Sequence, residues 1–186
     1  MKKYDGYEQT EAFTGDYETL EPTGYICIIV GAKVEEKDYG HLMRIAYDIV
    51  EGEHKEFYKR MFERKKENNS EAKWPGMYYQ TVKSDGLGYF KGFIQAVEQS
   101  NSGYKWNWDE KKLIGKLFGG LFGEEEYLGN DNKVKTSVKC RYVKPVETIR
   151  SGDYKVPEIK RLNNTPEQTG SSYSGMEMPP DDDLPF

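Results

Sequence analysis

The sequence has few of the residues that most catalytic and metal sites need. Among its 186 residues there are two cysteines and two histidines. Cys27 and Cys140 stand alone in apolar alternating segments, so we expect small buried residues in a reducing compartment and no zinc site. Neither His41 nor His54 lies near a plausible nucleophile, which argues against Ser-His or Cys-His catalysis.

Long hydrophobic runs and nucleotide motifs are also missing. No apolar run approaches the ~18 residues of a membrane-spanning helix, and the start, MKKYDGYEQTEAF, is no targeting signal. No GxxxxGK[ST] motif occurs, and residues 115–123 lack a dinucleotide fingerprint. We therefore expect a cytoplasmic protein that makes no membrane contact, is not an enzyme, and uses no metal or cofactor.

Aromatic residues are plentiful, and the charge is unevenly distributed. The chain is 14% aromatic, which is typical of a folded domain, and its net charge is −5. Residues 165–186 contain five acidic and no basic residues, and residues 2–21 contain six acidic and two basic ones. Residues 22–164 therefore hold 25 basic and 21 acidic residues, a net charge of +4. A basic body between acidic ends can still attract a polyanion.

Apolar periodicity predicts one mainly β domain at residues 23–162, after an acidic N-terminal arm at residues 1–22. Segments 25–34 and 42–50 alternate with period two and should pair as an antiparallel hairpin. Their core faces are predicted at the even positions from Ile26 to Val34 and the odd positions from Met43 to Ile49. Segment 54–66 fits either a helix or a strand, and we favour a strand.

A helix is predicted at residues 87–99, capped by Ser84 or Asp85. Two further strands are expected at residues 113–122 and 134–142, joined by a hairpin that turns at residues 129–132. In the last strand, even positions from Val134 to Tyr142 should face the core. This element order is that of an OB-fold, a five-stranded Greek-key barrel with a helix between strands 3 and 4. Several other small β barrels and sandwiches give a similar order.

Three segments place aromatic residues beside lysines: KWPGMYYQ, GYFKGF and GYKWNWDEKK. Single-stranded nucleic acid presents flat bases and a phosphate backbone, and base stacking on aromatic rings contributes ~1–3 kcal/mol per base. The candidate DNA-binding residues are Arg44, Tyr58, Arg60, Arg64, Trp74, Tyr78, Tyr104, Trp106, Lys135, Lys139 and Arg141.

Competing interpretations stay open. Each aromatic residue could instead fill the core, and a charged strand face is often only solvated. Carboxylates in the segment 124–131 could hold the metal of a nuclease, although a solvated acidic turn is the simpler interpretation. An annealing or recombination-accessory protein, or an adaptor whose barrel binds protein, would also suit these features.

The C-terminal segment carries the most specific signal. Residues 163–180, NNTPEQTGSSYSGMEMPP, have little to bury and predict a flexible linker. The sequence then reads DDDLPF, in which a terminal aromatic ring and carboxylate can enter a basic pocket on a partner. We call residues 181–186 the tip; its residues are Asp181, Asp182, Asp183, Leu184, Pro185 and Phe186.

The tip resembles that of bacterial single-stranded-DNA-binding proteins, which typically end in acidic residues and Ile-Pro-Phe. Over roughly residues 20 to 160, segments such as KWPGMYYQ, GYFKGFIQAVEQSN and KVKTSVKCRYV resemble the single-stranded-DNA-binding proteins of phages and prophages of Gram-positive bacteria. The resemblance implies sequence-non-specific binding and protection of single strands during phage DNA replication, recombination and repair. It also implies that the tip recruits a helicase, nuclease or recombination mediator of the host. If the protein forms a homo-oligomer, we expect a dimer rather than a tetramer.

Overall fold

The computed structural model describes residues 4–5, 7–8, 18–38, 40–83 and 86–162. Ser84, Asp85, the linker at 163–180 and the tip lie outside the described residues. In chain order the elements are β1 (Gly24–Lys37), β2 (Gly40–Ile49), α1 (Phe57–Asn68), β3 (Met77–Val82), α2 (Leu87–Ser100), a 3-10 turn (Glu110–Leu113), β4 (Leu117–Leu128), β5 (Val134–Lys144) and α3 (Val146–Ser151). No helix among the described residues is long and apolar enough to cross a membrane.

The five strands form one open antiparallel sheet in the order β3-β2-β1-β4-β5. The mainly β prediction and the β1–β2 hairpin are therefore confirmed. The predicted inner face of β2 is also confirmed, because Met43, Ile45, Tyr47 and Ile49 are each at most 2% exposed. Helix α2 covers this face with Phe90, Phe93, Ile94 and Val97, as the helix prediction at residues 87–99 requires. The outer strands of the sheet are β3 and β5.

The predicted core face of β1 is wrong over its first half. Cys27 and Ile29 belong to the core cluster, whereas Ile26 is buried outside that cluster and Val30 is 41% exposed. The pairing of β1 with β2 is irregular between Ile29 and Gly31, and an inserted residue in a strand reverses which side chains face the core. Beyond this bulge, Ala32 and Val34 join the inner face.

The segment 54–66, predicted as a third strand, contains helix α1 instead. The stripe of Phe57, Tyr58 and Met61 packs against the core at helical spacing. The helix starts beside Asp48 of β2, whose carboxylate accepts hydrogen bonds from the backbone N–H groups of Tyr58 and Lys59 at 2.9 and 3.2 Å. Because this cap comes from another element, the local sequence gives no sign of it.

The third strand is β3, which begins in the segment KWPGMYYQ, where the sequence predicts only an aromatic, basic stretch. The fourth strand, predicted at 113–122, begins at Leu117 and runs to Leu128. The turn predicted at 129–132 is confirmed by the hydrogen bond from Asn132 N–H to Gly129 O at 2.9 Å.

The predicted face of β5 is correct only in its centre. Cys140 is buried and Val138 packs against the core, whereas Val134 and Tyr142 are 55% and 51% exposed. The pairing of β4 with β5 is irregular between Leu121 and Phe122, which turns Tyr142 away from the face of Cys140. Both cysteines are free and buried, as expected.

Glycine is required at position 119, where β4 passes beneath α3. A Cβ atom there would lie 2.9 Å from the carbonyl oxygen of Pro145 and closer still to the side chain of Ile149. The absence of a side chain therefore lets α3 pack directly on the sheet.

We expect Gly119→Ala to lower the free energy of unfolding by about 2 kcal/mol, because the added methyl group forces α3 off the sheet. The matched control is Gly92→Ala on the exposed side of α2, where a Cβ meets no atom within 4 Å. That change should raise the free energy of unfolding by about 0.5–1 kcal/mol through helix propensity. Denaturant titration of both variants measures the difference, and equal effects would contradict the close α3 contact.

Candidate nucleic-acid interface

A cleft of about 1110 Å³ lies beside α1 and is lined by both outer strands of the sheet. Its lining residues are 18–20, Arg44, Tyr47, Phe57, Tyr58, Met61, Arg64, Lys65, Asn68, Asn69, 71–75, Met77, Tyr79 and 136–139. Among these described residues, five are aromatic, five are basic and two are acidic. The cleft thus combines flat rings with an excess of positive charge.

The connection between α1 and β3 is held against β2 by the backbone of Tyr47. The N–H of Tyr47 donates to Gly76 O, and the indole N–H of Trp74 donates to Tyr47 O, both at 2.9 Å. Position 76 requires glycine, because a Cβ there would lie 2.7 Å from the ring of Tyr58. Trp74 also packs on Phe62 with ring centroids 5.4 Å apart. These contacts fix the Trp74 ring at the wall of the cleft.

The cations around the cleft differ in their surroundings. Arg64 and Lys65 lie on the exposed side of α1 and form no ion pair with any described residue. Lys139 of β5 lies 3.7 Å from the carboxylate of Glu125, and its side chain is 43% exposed. Exposed cations of this kind are available to phosphate groups.

Arg44 of β2 is different, because its side chain is only 7% exposed. Its Nη2 lies 3.2 Å from a carboxylate oxygen of Glu35, and its guanidinium lies 5.7 Å from the ring centroid of Tyr79. Burial raises the pKa of Glu35, but the neighbouring Lys37 and Arg44 outweigh it and hold that pKa below its usual value. The Arg44–Glu35 pair is therefore ionised and already balanced at neutral pH.

Five of the predicted DNA-binding residues meet at the cleft: Arg44, Tyr58, Arg64, Trp74 and Lys139. Tyr58 is 6% exposed and packs edge-on against Tyr47, so it forms part of the wall rather than a protruding ring. Burial also raises the pKa of the Tyr58 phenol, which keeps it neutral at ordinary pH.

Three predicted cations lie outside the cleft lining and have partners of their own. Arg60 pairs with Glu18 at 2.7 Å, and Lys135 pairs with Asp131 at 3.2 Å. Arg141 donates to the carbonyl oxygen of Glu158 at 3.4 Å. Of the predicted cations on β5, Lys139 therefore lines the cleft with Arg44, whereas Lys135 and Arg141 do not.

The other three predicted aromatic residues also lie elsewhere. Tyr78 stacks on Phe93 against the core, and the ring of Tyr104 lies under Lys116. Trp106 contacts the rings of Phe90 and Trp108, and we call these three the α2 aromatic cluster. Trp108 is 75% exposed and has a left-handed backbone with φ 65°. Sequence reasoning did not select it.

Sequence reasoning also missed Lys65, Lys73 and Tyr79, which line the cleft. Tyr79 could have been found from strand periodicity, because a strand at this position puts Met77 and Tyr79 on one face and Tyr78 and Gln80 on the other. The two lysines had no comparable signal, because their position depends on helix α1 and on the connection after it.

The acidic residues considered for a nuclease metal site form ion pairs along β4. Glu125 contacts Lys160 at 2.5 Å, and Glu126 contacts Arg161 at 3.4 Å. Backbone hydrogen bonds from Lys160 N–H to Glu124 O, and from Glu126 N–H to Lys160 O, attach the segment around Lys160 to β4 through an isolated parallel bridge. The described part of the chain contains no group of three or more His, Cys, Asp or Glu residues that could hold a metal.

The carboxylate of Glu125 links Lys160 to the cleft, because it contacts both Lys160 and Lys139. Burial raises its pKa, but Lys160, Lys139 and Arg141 together bring the pKa below the usual value of 4.5. A carboxylate with a lowered pKa stabilises the fold above pH 4.5, and this stabilisation disappears as the pH falls through the folded-state value.

We therefore expect Glu125→Gln to lower the free energy of unfolding by about 1 kcal/mol at pH 7. The difference from the parent protein should shrink as the pH falls below 4.5, since the Glu125 carboxyl group is then protonated and as uncharged as the carboxamide that replaces it. Urea titrations across this pH range give the comparison. A difference that is constant with pH would show that the charge of Glu125 does not matter.

Comparison with known proteins does not identify this chain. No protein-family model matches the sequence, and no curated protein matches it. Its function therefore has to be argued from the chemistry of the cleft and from the residues of the tip.

Proposed function

We propose that this protein is a single-stranded-DNA-binding protein that tolerates any base sequence and takes the strand into the cleft. The observation that carries the proposal is the combination, in one cleft, of five aromatic and five basic residues among those described. Stacking on rings and pairing with phosphates are the two interactions that a sequence-tolerant binder needs.

The sheet order supports a more specific fold, an OB-fold whose barrel is open between its third and fifth strands. In such a barrel β1 pairs with both β2 and β4, as it does here. Helix α2 lies between the third and fourth strands, as the fold requires. The cleft occurs where β3 and β5 would have to meet to close the barrel.

The resemblance of the sequence to phage single-stranded-DNA-binding proteins supports a role in replication, recombination and repair inside a bacterial host. On this proposal the body protects single strands, while the tip recruits replication or repair enzymes through the ring and carboxylate of Phe186. The described residues after α3 are hydrogen-bonded to β4 through Lys160 and Leu162, and Glu125 of β4 contacts both Lys160 and Lys139 at the cleft.

Tryptophan fluorescence provides a direct test, because one tryptophan lines the cleft and two belong to the α2 aromatic cluster. Addition of oligo(dT) at low salt should quench part of the emission by stacking on Trp74. In Trp74→Phe this quenching should be lost, while labelled oligo(dT) still binds because phenylalanine retains a stacking face. We expect affinity to fall about three- to tenfold, since the indole contributes the larger stacking surface.

The matched control is Trp106→Phe, which should retain the quenching of the parent protein. Quenching that survives in Trp74→Phe and disappears in Trp106→Phe would instead place the strand on the α2 aromatic cluster. Absence of both quenching and binding in the parent protein would refute the function itself.

Deletion of residues 181–186 should separate DNA binding from partner recruitment. Because the tip is acidic, its removal should leave the affinity for oligo(dT) unchanged or raise it at low salt. The same deletion should abolish binding to a host helicase or nuclease that the parent protein captures. Loss of DNA affinity on deletion would contradict the role assigned to the tip.

A further inference from the structure

The guanidinium of Arg44 has a hydrogen-bonding group that is not used within the described structure. Its Nη2 pairs with Glu35, but its buried Nε–H finds no hydrogen-bond partner among the described residues. A buried donor without an acceptor is unfavourable, and such groups are uncommon in folded proteins. A ligand that brings an acceptor to this N–H group would therefore be favoured.

A second unused polar group belongs to the same cleft. The hydroxyl oxygen of Ser137, on β5, is also buried and has no hydrogen-bond partner within the described ranges. Arg44 and Ser137 come from different strands, yet both line the cleft. One ligand placed between the strands could satisfy both groups.

The burial of Arg44 favours a neutral acceptor over a phosphate. Its side chain is only 7% exposed, and its guanidinium already pairs with Glu35 at 3.2 Å. A phosphate beside Arg44 would have to lose its hydration, which costs more for a charged group than for a neutral acceptor. Phosphates have better partners in Arg64 and Lys65, which are exposed on α1.

The ring next to Arg44 favours a planar ligand. The guanidinium lies 5.7 Å from the centroid of Tyr79, and the rings of Tyr58 and Trp74 line the same cleft. A planar group with acceptors on its edge suits both the rings and the unused N–H group. Among the bases, guanine presents two acceptors and no donor on its major-groove edge, O6 and N7, whereas cytosine presents a donor there.

We propose that the cleft holds one base of the bound strand edge-on against Arg44 and Ser137 and thereby prefers guanine at that position. This inference rests on the proposed single-stranded-DNA binding. It adds a single base-reading position to an interface that otherwise tolerates any sequence.

The test compares labelled oligonucleotides of equal length and charge, one alternating thymine with guanine and one alternating thymine with cytosine. Anisotropy titrations of the parent protein should show about tenfold tighter binding of the guanine strand, the discrimination that one good base contact provides. Replacement of guanine by 7-deazaguanine, which lacks the N7 acceptor, should remove most of this preference. The preference should also persist as salt is raised, because the contact replaces no phosphate contact.

Two variants assign the preference to these residues. Arg44→Lys retains the charge beside Glu35 but removes the Nε–H group, and Ser137→Ala removes only a hydroxyl. Each should still bind both strands, with the guanine preference reduced to about twofold or less. Ser102→Ala, an exposed serine after α2, should retain the full preference.

Arg64→Gln serves as a phosphate-type control, since it should weaken both strands equally and reduce the salt slope by about 0.7. Equal binding of the two strands by the parent protein would overturn the base-reading position while leaving the proposed function intact. Failure of the parent protein to bind either strand would instead refute the proposed function. A preference that survives in both Arg44→Lys and Ser137→Ala would also overturn the assignment.

Discussion

The core and the cleft both depend on Tyr47. Its ring, 1% exposed, packs edge-on against Tyr58 and Phe122 at 5.2 and 6.0 Å. Its backbone holds the connection before β3 through Gly76 and the indole of Trp74. Tyr47 therefore both completes the packing of the sheet and positions the ring of Trp74. A loss of packing at Tyr47 would therefore also displace Trp74, because the indole N–H of Trp74 donates to the Tyr47 carbonyl oxygen.

The cleft exists because the sheet does not close. Paired strands lie only about 4.8 Å apart, which leaves no space for a base between their edges. Here β3 and β5 remain the outer strands, and both contribute side chains to the cleft. Helix α1 and the connection after it line the same cleft. The same arrangement brings the cations of α1 close to the rings of the sheet.

The sequence predicted what depends on regular local periodicity. The inner face of β2 and the helix α2 follow from spacing, and the turn between β4 and β5 follows from its glycine, asparagine and aspartate residues. Helix α1 was missed because its aromatic stripe suits two periods and its cap, Asp48, lies on β2. The predicted core face is wrong in the first half of β1 because of a bulge at Val30, which no residue type indicates. The candidate site was only partly predictable. Residue chemistry selected Trp74 and Arg64, which line the cleft, but it also selected Tyr78, which packs against the core.

The net charge of −5 does not describe the surface that a polyanion would contact, because the cations differ in their burial and in their ion pairs. Arg44 is buried and balanced by Glu35, so it adds little to the long-range attraction of DNA. Arg64 and Lys65 are exposed on α1, where they can exchange counterions for phosphates. On the proposed function, attraction to the strand comes from the helix and depends on salt, whereas recognition of a base comes from the sheet and does not. A protein that places both at one cleft would bind any single strand and still distinguish one of its bases.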